Sequence, residues 1–261
     1  MKKIALIVFL LSFMMIGTAF SGTSKSVSAI QSGIPSIQGE PTEVYFVEGY
    51  VDVLYLSFHG DKLVHGYDYA EGYYYAPILG MWGATGWLLF IDFPTDPGLY
   101  ELMMMIVHQP NLNAEGWLTV DGLTVDGPGY YQLIPGKAEK VEGAKTLGSS
   151  VKAEQVEPAL VGFWLRPWID ECWLAGLNLS PLPVKGVKGY LDVEGYPGYP
   201  APILGVVTAK KLIFAGDYKT YPGYYELRLM ILDKPGLHGV SYPTVDGITV
   251  YGPDETWLER M

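Results

Sequence analysis

The chain has 261 residues, of which 49% are hydrophobic and 14% aromatic, and its formal net charge is −11. That acidity disfavours nucleic acid and anionic lipid surfaces as partners, because both need clustered Lys and Arg. Cys172 is the only cysteine, which rules out an intramolecular disulfide.

At the N-terminus, Lys2 and Lys3 precede an apolar run over 4–16 and small residues around Gly17 and Ala19. This order predicts a secretory signal peptide over 1–21, cut after Ala19 or Ser21, since thirteen apolar residues are short for a membrane span. The expected location is therefore outside the cytoplasm, periplasmic or at the cell surface. No later run reaches a spanning length, so no membrane span is expected once the signal is removed. Losing Lys2 and Lys3 with the signal would take the charge to −13. Residues 22–43, rich in Ser, Gly, Gln and Pro, read as a flexible tail.

From there on, 32 glycines and 19 prolines divide short segments rich in Tyr, Val, Ile, Leu and Phe. Sustained helical spacing is absent outside the signal segment. Strands are predicted over 44–58, 62–70, 86–93, 99–107 and 117–126. Residues 136–158 hold eight Lys or Glu residues and few large apolar ones, so 136–159 reads as a solvated linker. A second set of strands is predicted over 162–177, 187–194, 209–216, 224–232 and 244–251.

The two sets are copies. Segment 97–128 aligns without a gap on 222–253, at an offset of 125 positions and with 17 identities in 32. Upstream, Ala76-Pro77-Ile78-Leu79-Gly80 recurs as Ala201-Pro202-Ile203-Leu204-Gly205, and 46–56 resembles 164–174 at an offset of 118. An internal duplication follows, with units over 44–135 and 160–261. Strands separated by turn signals at this spacing predict an all-β chain of two tandem antiparallel sandwiches, immunoglobulin-like or jelly-roll-like. One larger sandwich or barrel built from both repeats is the competing arrangement. Pro-Gly at 97–98 and 222–223 presets tight turns. Asp-Gly at 121–122 and 246–247 suits either a hairpin turn or a bulge.

Candidate chemistry is sparse. The repeated acids Asp52/Asp170, Glu101/Glu226 and Asp121/Asp246 read as structural, because nothing makes two of them converge across a cleft as a glycosidase would need. His59, Asp61 and His65 flank a hairpin and could gather a metal, but the second copy has no equivalent, which favours surface histidines. Asp92, Asp96, Asp121 and Asp126 lack the regular spacing of a calcium loop. Cys172 aligns with Leu54 and reads as a small buried thiol. No catalytic residue, metal or cofactor is expected.

Aromatic residues carry the functional expectation. Tyr73, Tyr74, Tyr75, Trp82, Tyr196 and Tyr199 cluster near Gly and Pro, where flat rings with polar edges suit sugars or protein partners. The chain is therefore expected to be an exported, non-catalytic binding protein, with a glycan as first partner. A structural component of the cell envelope, held by protein contacts, is the rival expectation.

Overall fold

The protein is described from a computed structural model. It describes residues 36–37, 43–50, 52–70, 74–93, 101–119, 124–136, 162–166, 170–179, 182, 185–192, 201–221, 224–244 and 249–260. All regular structure among them is β. Residues Pro35–Met261 form one compact unit.

After the short strand β1 (Ser36–Ile37), the first repeat supplies β2 (Glu43–Val47), β3 (Val53–Phe58), β4 (Leu63–Ala70), β5 (Tyr74–Gly83), β6 (Gly86–Phe93), β7 (Glu101–His108), β8 (Asn113–Thr119) and β9 (Val125–Gly136). Each pairs antiparallel with the next. Residues 125–132 of β9 pair with β8 and its last four with β2, so the eight strands close into a barrel.

Closure follows from alternation. Along β6, Trp87, Leu89 and Ile91 point into the barrel, while Leu88 and Phe90 face the other way. Eight strands enclose a space that side chains just fill. Here Leu54, Leu56, Val64, Ile78, Met105 and Val107 fill it, all at 2% exposure or less.

The second repeat supplies β10 (Gly162–Arg166), β11 (Asp170–Asn178), β12 (Lys185–Asp192), β13 (Ala201–Val207), β14 (Lys211–Tyr221), β15 (Tyr224–Asp233) and β16 (His238–Pro243). Three short strands follow: β17 (Val250–Tyr251), β18 (Asp254–Trp257) and β19 (Glu259–Arg260). β18 pairs with β16 at one edge of the nine-stranded sheet, and β19 pairs with β10 at the other. Leu258 alone separates those two edge strands. Together they do for this sheet what β9 does for the first, and the sheet curls round a core containing Cys172, Leu174, Ile203, Phe214, Met230 and Leu258.

The all-β expectation holds, but the sandwich form does not. Joining the first strand to the last leaves a rolled sheet with no free edge, where a sandwich would have two facing sheets. Nor do the repeats merge into one larger barrel, since each forms a sheet of its own. Ser36 and Ile37, within the stretch read as a flexible tail, pair with Tyr251 and Val250.

Backbone detail repeats with the sequence. Leu112 and Leu237 both have positive φ, as do Gly127 and Gly252, each before a cis proline. Thr119 and Thr244 accept hydrogen bonds from the backbone N–H groups of Leu102 and Leu227, at 2.9 and 3.0 Å. On the outer faces, Tyr55 stacks on Tyr67 at 4.8 Å and Trp173 on Tyr190 at 5.5 Å, the same cross-strand pair in each copy.

A third apolar cluster lies between the barrels. Leu79, Phe90, Met104 and Trp117 from the first meet Leu204, Ile213, Leu229 and Tyr242 from the second. β5 packs on β15, and β7 on β13. Since β13 and β15 are the copies of β5 and β7, these contacts are reciprocal. The barrels are therefore related by an approximate twofold axis, as in an isologous dimer.

Candidate functional site

The buried polar groups inside the first barrel gather at one end. β3 begins there at Val53 and β4 leaves there at Ala70. Asp68, on β4, lies opposite Leu54 and Ala76, both of which belong to the interior cluster, so its side chain points inward. It is 2% exposed. The Val53 N–H donates to its carboxylate, while Oδ1 has no hydrogen-bond partner among the described residues. Burial first, and then the charge of neighbouring Asp52, hold the Asp68 carboxyl well above the usual carboxylate range. Asp52 is itself raised by burial.

Two tyrosines complete this end. Tyr50 sits in the β2–β3 turn, where Gly49 takes a φ of 85° and the Tyr50 N–H donates to the Val47 carbonyl at 3.1 Å. Its ring lies 5.6 Å from that of Tyr131 on β9. Glycines make the room for Tyr131. A Cβ on Gly116 would fall 2.8 Å from its ring, and one on Gly129 would fall 2.7 Å from its hydroxyl. Burial, with Tyr50 and Asp52 nearby, pushes the Tyr131 hydroxyl up to about 12. This end therefore presents a carboxyl whose protonated form is favoured by burial, two phenol hydroxyls and two aromatic faces. Such a surface offers both hydrogen-bond donors and acceptors.

The second barrel shows that these groups are not needed for the fold. Leu54 pairs with Asp68 where Cys172 pairs with Leu191, and Leu191 is fully buried. Ala114 pairs with Tyr131 where Gly239 pairs with Thr256. The same backbone thus carries a carboxyl and a phenol in one copy, and a leucine and a threonine in the other.

Of the aromatic residues singled out from sequence, only Trp82 has a described side chain. Tyr73, Tyr196 and Tyr199 lie outside the described residues, as do the side chains of Tyr74 and Tyr75. The backbone of Tyr74 opens β5 two residues before Ala76, at the same end as Asp68. Trp82 lies near the other end of β5, about 25 Å away at strand rise. It is half-buried against the interior cluster, donates from Nε1 to the His59 carbonyl at 2.8 Å, and meets Phe58 edge-on. The backbone positions of Trp82 and Tyr74 therefore lie towards opposite ends of β5.

His59 and His65 do come together on the β3–β4 hairpin, with rings stacked at 4.7 Å. His59 is half-buried, however, and His65, at 3% exposure, is not a surface histidine. Burial and then His59 push its imidazole down to about 4. Asp61, in the same turn, hydrogen-bonds Tyr242 of the second barrel. Among the described residues, no three His, Cys, Asp or Glu side chains converge as metal ligands. Asp92 faces the seam between the barrels while Asp126 is exposed. Asp170, Glu101 and Glu226 have side chains outside the described residues, and Asp96, Asp121 and Asp246 are wholly outside them. Cys172 is buried in Leu54's structural position. Among the described residues no helix is long and apolar enough to cross a membrane.

Asp68 and Tyr50 are not singled out by the sequence, and Tyr131 stands out there only as part of the aromatic pair Tyr130-Tyr131. The available signal was the offset of 123 positions that sets Asp68 against Leu191. A polar residue facing an apolar one in a duplicated strand marks a site that diverged. Comparison with family models, with curated proteins and with solved structures gives no match.

Proposed function

We propose that the protein is an exported, non-catalytic binding protein that takes a neutral, hydroxyl-rich ligand, a glycan segment, at the Asp68 end of the first barrel. The observation that carries this reading is Asp68: a buried carboxyl with an unpartnered oxygen, in a place where the sister barrel has a leucine. A buried polar atom without a partner is costly, and a ligand hydroxyl would relieve that cost. The raised pKa supports a neutral ligand over a cation, because a protonated carboxyl both donates and accepts but carries no charge. Tyr50 and Tyr131 supply the ring faces on which a sugar could lie. Barrel mouths are a common place for such sites.

The second repeat provides the control. Asp68→Leu copies Leu191 and should fold. Polysaccharides and oligosaccharides would be titrated against wild type and this variant by calorimetry. A glycan that binds wild type should bind the variant roughly 10- to 100-fold more weakly, the worth of one or two buried polar contacts. Equal binding to both, or no glycan bound by wild type, overturns the reading.

An envelope assembly role is the second reading, and one observation favours it. Tyr130 and Ile134, 55% and 44% exposed, lie on the outer face of β9. If that face docks a neighbouring chain, replacing both with serine should abolish concentration-dependent assembly in light scattering while leaving glycan titrations unchanged.

A further inference from the structure

We propose that Asp92 and Asp217 form a proton-binding site at the centre of the seam, sharing one proton between two carboxyls, and that losing it loosens one barrel from the other. The two residues are copies, 125 positions apart, on the equivalent strands β6 and β14. Asp92 lies on the same face of β6 as Phe90, and Asp217 on the same face of β14 as Ala215. Both of those neighbours belong to the seam cluster. The reciprocal packing of β5 on β15 and β7 on β13 places these two strands about the approximate twofold axis, so the carboxyls approach each other across it. Asp92 is 1% exposed and Asp217 4%. Asp92 Oδ2 is buried without a hydrogen-bond partner among the described residues.

On the packed strands the described neighbours at the seam are apolar. β5 presents Leu79, β7 presents Leu102 and Met104, β13 presents Leu204, and β15 presents Leu227 and Leu229. The described titratable groups facing the seam belong to other strands and turns, apart from Lys211 at the start of β14. His65 and Asp61 belong to β4 and its turn, with Tyr242 bonded to Asp61. His108 pairs with Glu115 at 2.6 Å, and Lys211 with Asp233 at 2.8 Å. The side chains of Tyr75, Lys219, Tyr225 and Glu226 are outside the described residues. Two carboxylates cannot both ionise in such a place without strong repulsion. Burial, and then Asp217, accordingly hold Asp92 protonated well above the usual carboxylate range.

The sign follows from proton counts. Above about pH 4 the unfolded chain releases both protons, while the folded pair keeps one or more. Stability is therefore full at low pH and falls as pH rises towards the pair's own ionisation. Beyond that point two negative charges face each other across the seam.

The test uses the full chain. Thermal melts between pH 5 and 8 would be recorded for wild type, Asp92→Asn, Asp217→Asn and the double variant. Hydrogen exchange by mass spectrometry, corrected for intrinsic rate, would follow β5–β7 and β13–β15. Wild type should melt lower as pH rises and lose protection at those strands first. Either single variant should cut the pH slope by half or more, and the double variant should add little, because the pair holds its proton jointly. Unchanged slopes, or single effects that simply add, overturn the proposal. An infrared measurement needs no seam variant: in Asp68→Leu, a protonated-carboxyl band should persist at neutral pH, and its absence also overturns the proposal.

Discussion

A buried titratable side chain sets the pH range in which its fold survives, and this chain buries both kinds. His65 is neutral in the fold, with its pKa pushed down to about 4, whereas an unfolded histidine titrates near 6.5. As pH falls through that window the unfolded chain takes up the proton first, so stability present above about pH 6.5 is progressively lost towards pH 4. The size is on the order of 3 kcal/mol. Asp68 and Asp92 act in the opposite sense, since their raised pKa values make the fold weaker as pH rises above about 4. Between about pH 4 and 6.5 the two effects therefore oppose each other. In His65→Phe, which keeps a flat ring against His59, the melting temperature should fall more steeply as pH rises through that window. Circular dichroism melts in a pH series decide this, and a slope unchanged by the substitution would exclude His65 as a source of the opposing effect.

At the level of strands, backbone approach matters as much as side chains. Gly66 and Gly189 are equivalent, and a Cβ on either would lie 1.8 Å from a cross-strand carbonyl oxygen, that of Tyr55 or Trp173. These are the strands that carry the Tyr55/Tyr67 and Trp173/Tyr190 stacks. Gly66→Ala and Gly189→Ala should each cost roughly 2–4 kcal/mol by forcing the strands apart, read as a lowered denaturation midpoint in urea. A loss below about 0.5 kcal/mol, the scale of an ordinary surface change, would show that the wall can yield there.

Much at this scale was legible in the sequence. The strand predicted over 86–93 is β6, because Trp87, Leu89 and Ile91 alternate cleanly with their neighbours. β5 and β13 were missed because Pro77 and Pro202 interrupt the pattern. Each proline lies just before the pairing with the next strand begins, at Ile78 and Ile203, so it has a neighbour on one side only and no ladder bond is lost to the other. The predicted strand 44–58 is two strands, and Gly49 alone signalled the turn between them. A barrel could not be told from a sandwich, because the same alternation serves both; what decides is the bond from β2 to β9, which joins residues almost a whole repeat apart. Asp68 was illegible for a similar reason. Its run of Tyr, Asp and Tyr reads as a polar edge until register places it opposite Leu54.

The whole molecule is organised by its seam. Apolar faces of β5, β6 and β7 that would meet water in a lone barrel are buried against their own copies, and the carboxyls at its centre make the joint sensitive to pH. Polar divergence between the copies lies inside the barrels, at Asp68 against Leu191 and Tyr131 against Thr256, whereas the seam keeps Thr119/Thr244 and Asp92/Asp217 and differs in apolar size, as at Phe90/Ala215. Function could therefore change in one barrel without disturbing the joint.

That reciprocal joint also speaks to ancestry. A surface that packs against its own copy about a twofold axis is the surface of a homodimer, and a duplicated gene that fuses two such chains would keep it. The first barrel, expressed alone as residues 43–136, still carries half of that surface, and its core is complete without the second. It should pair with itself, Asp92 meeting Asp92, and sediment as a dimer at acid pH that dissociates as the pH is raised. A monomer at every pH would mean that the two halves have since become complementary to each other and no longer to themselves.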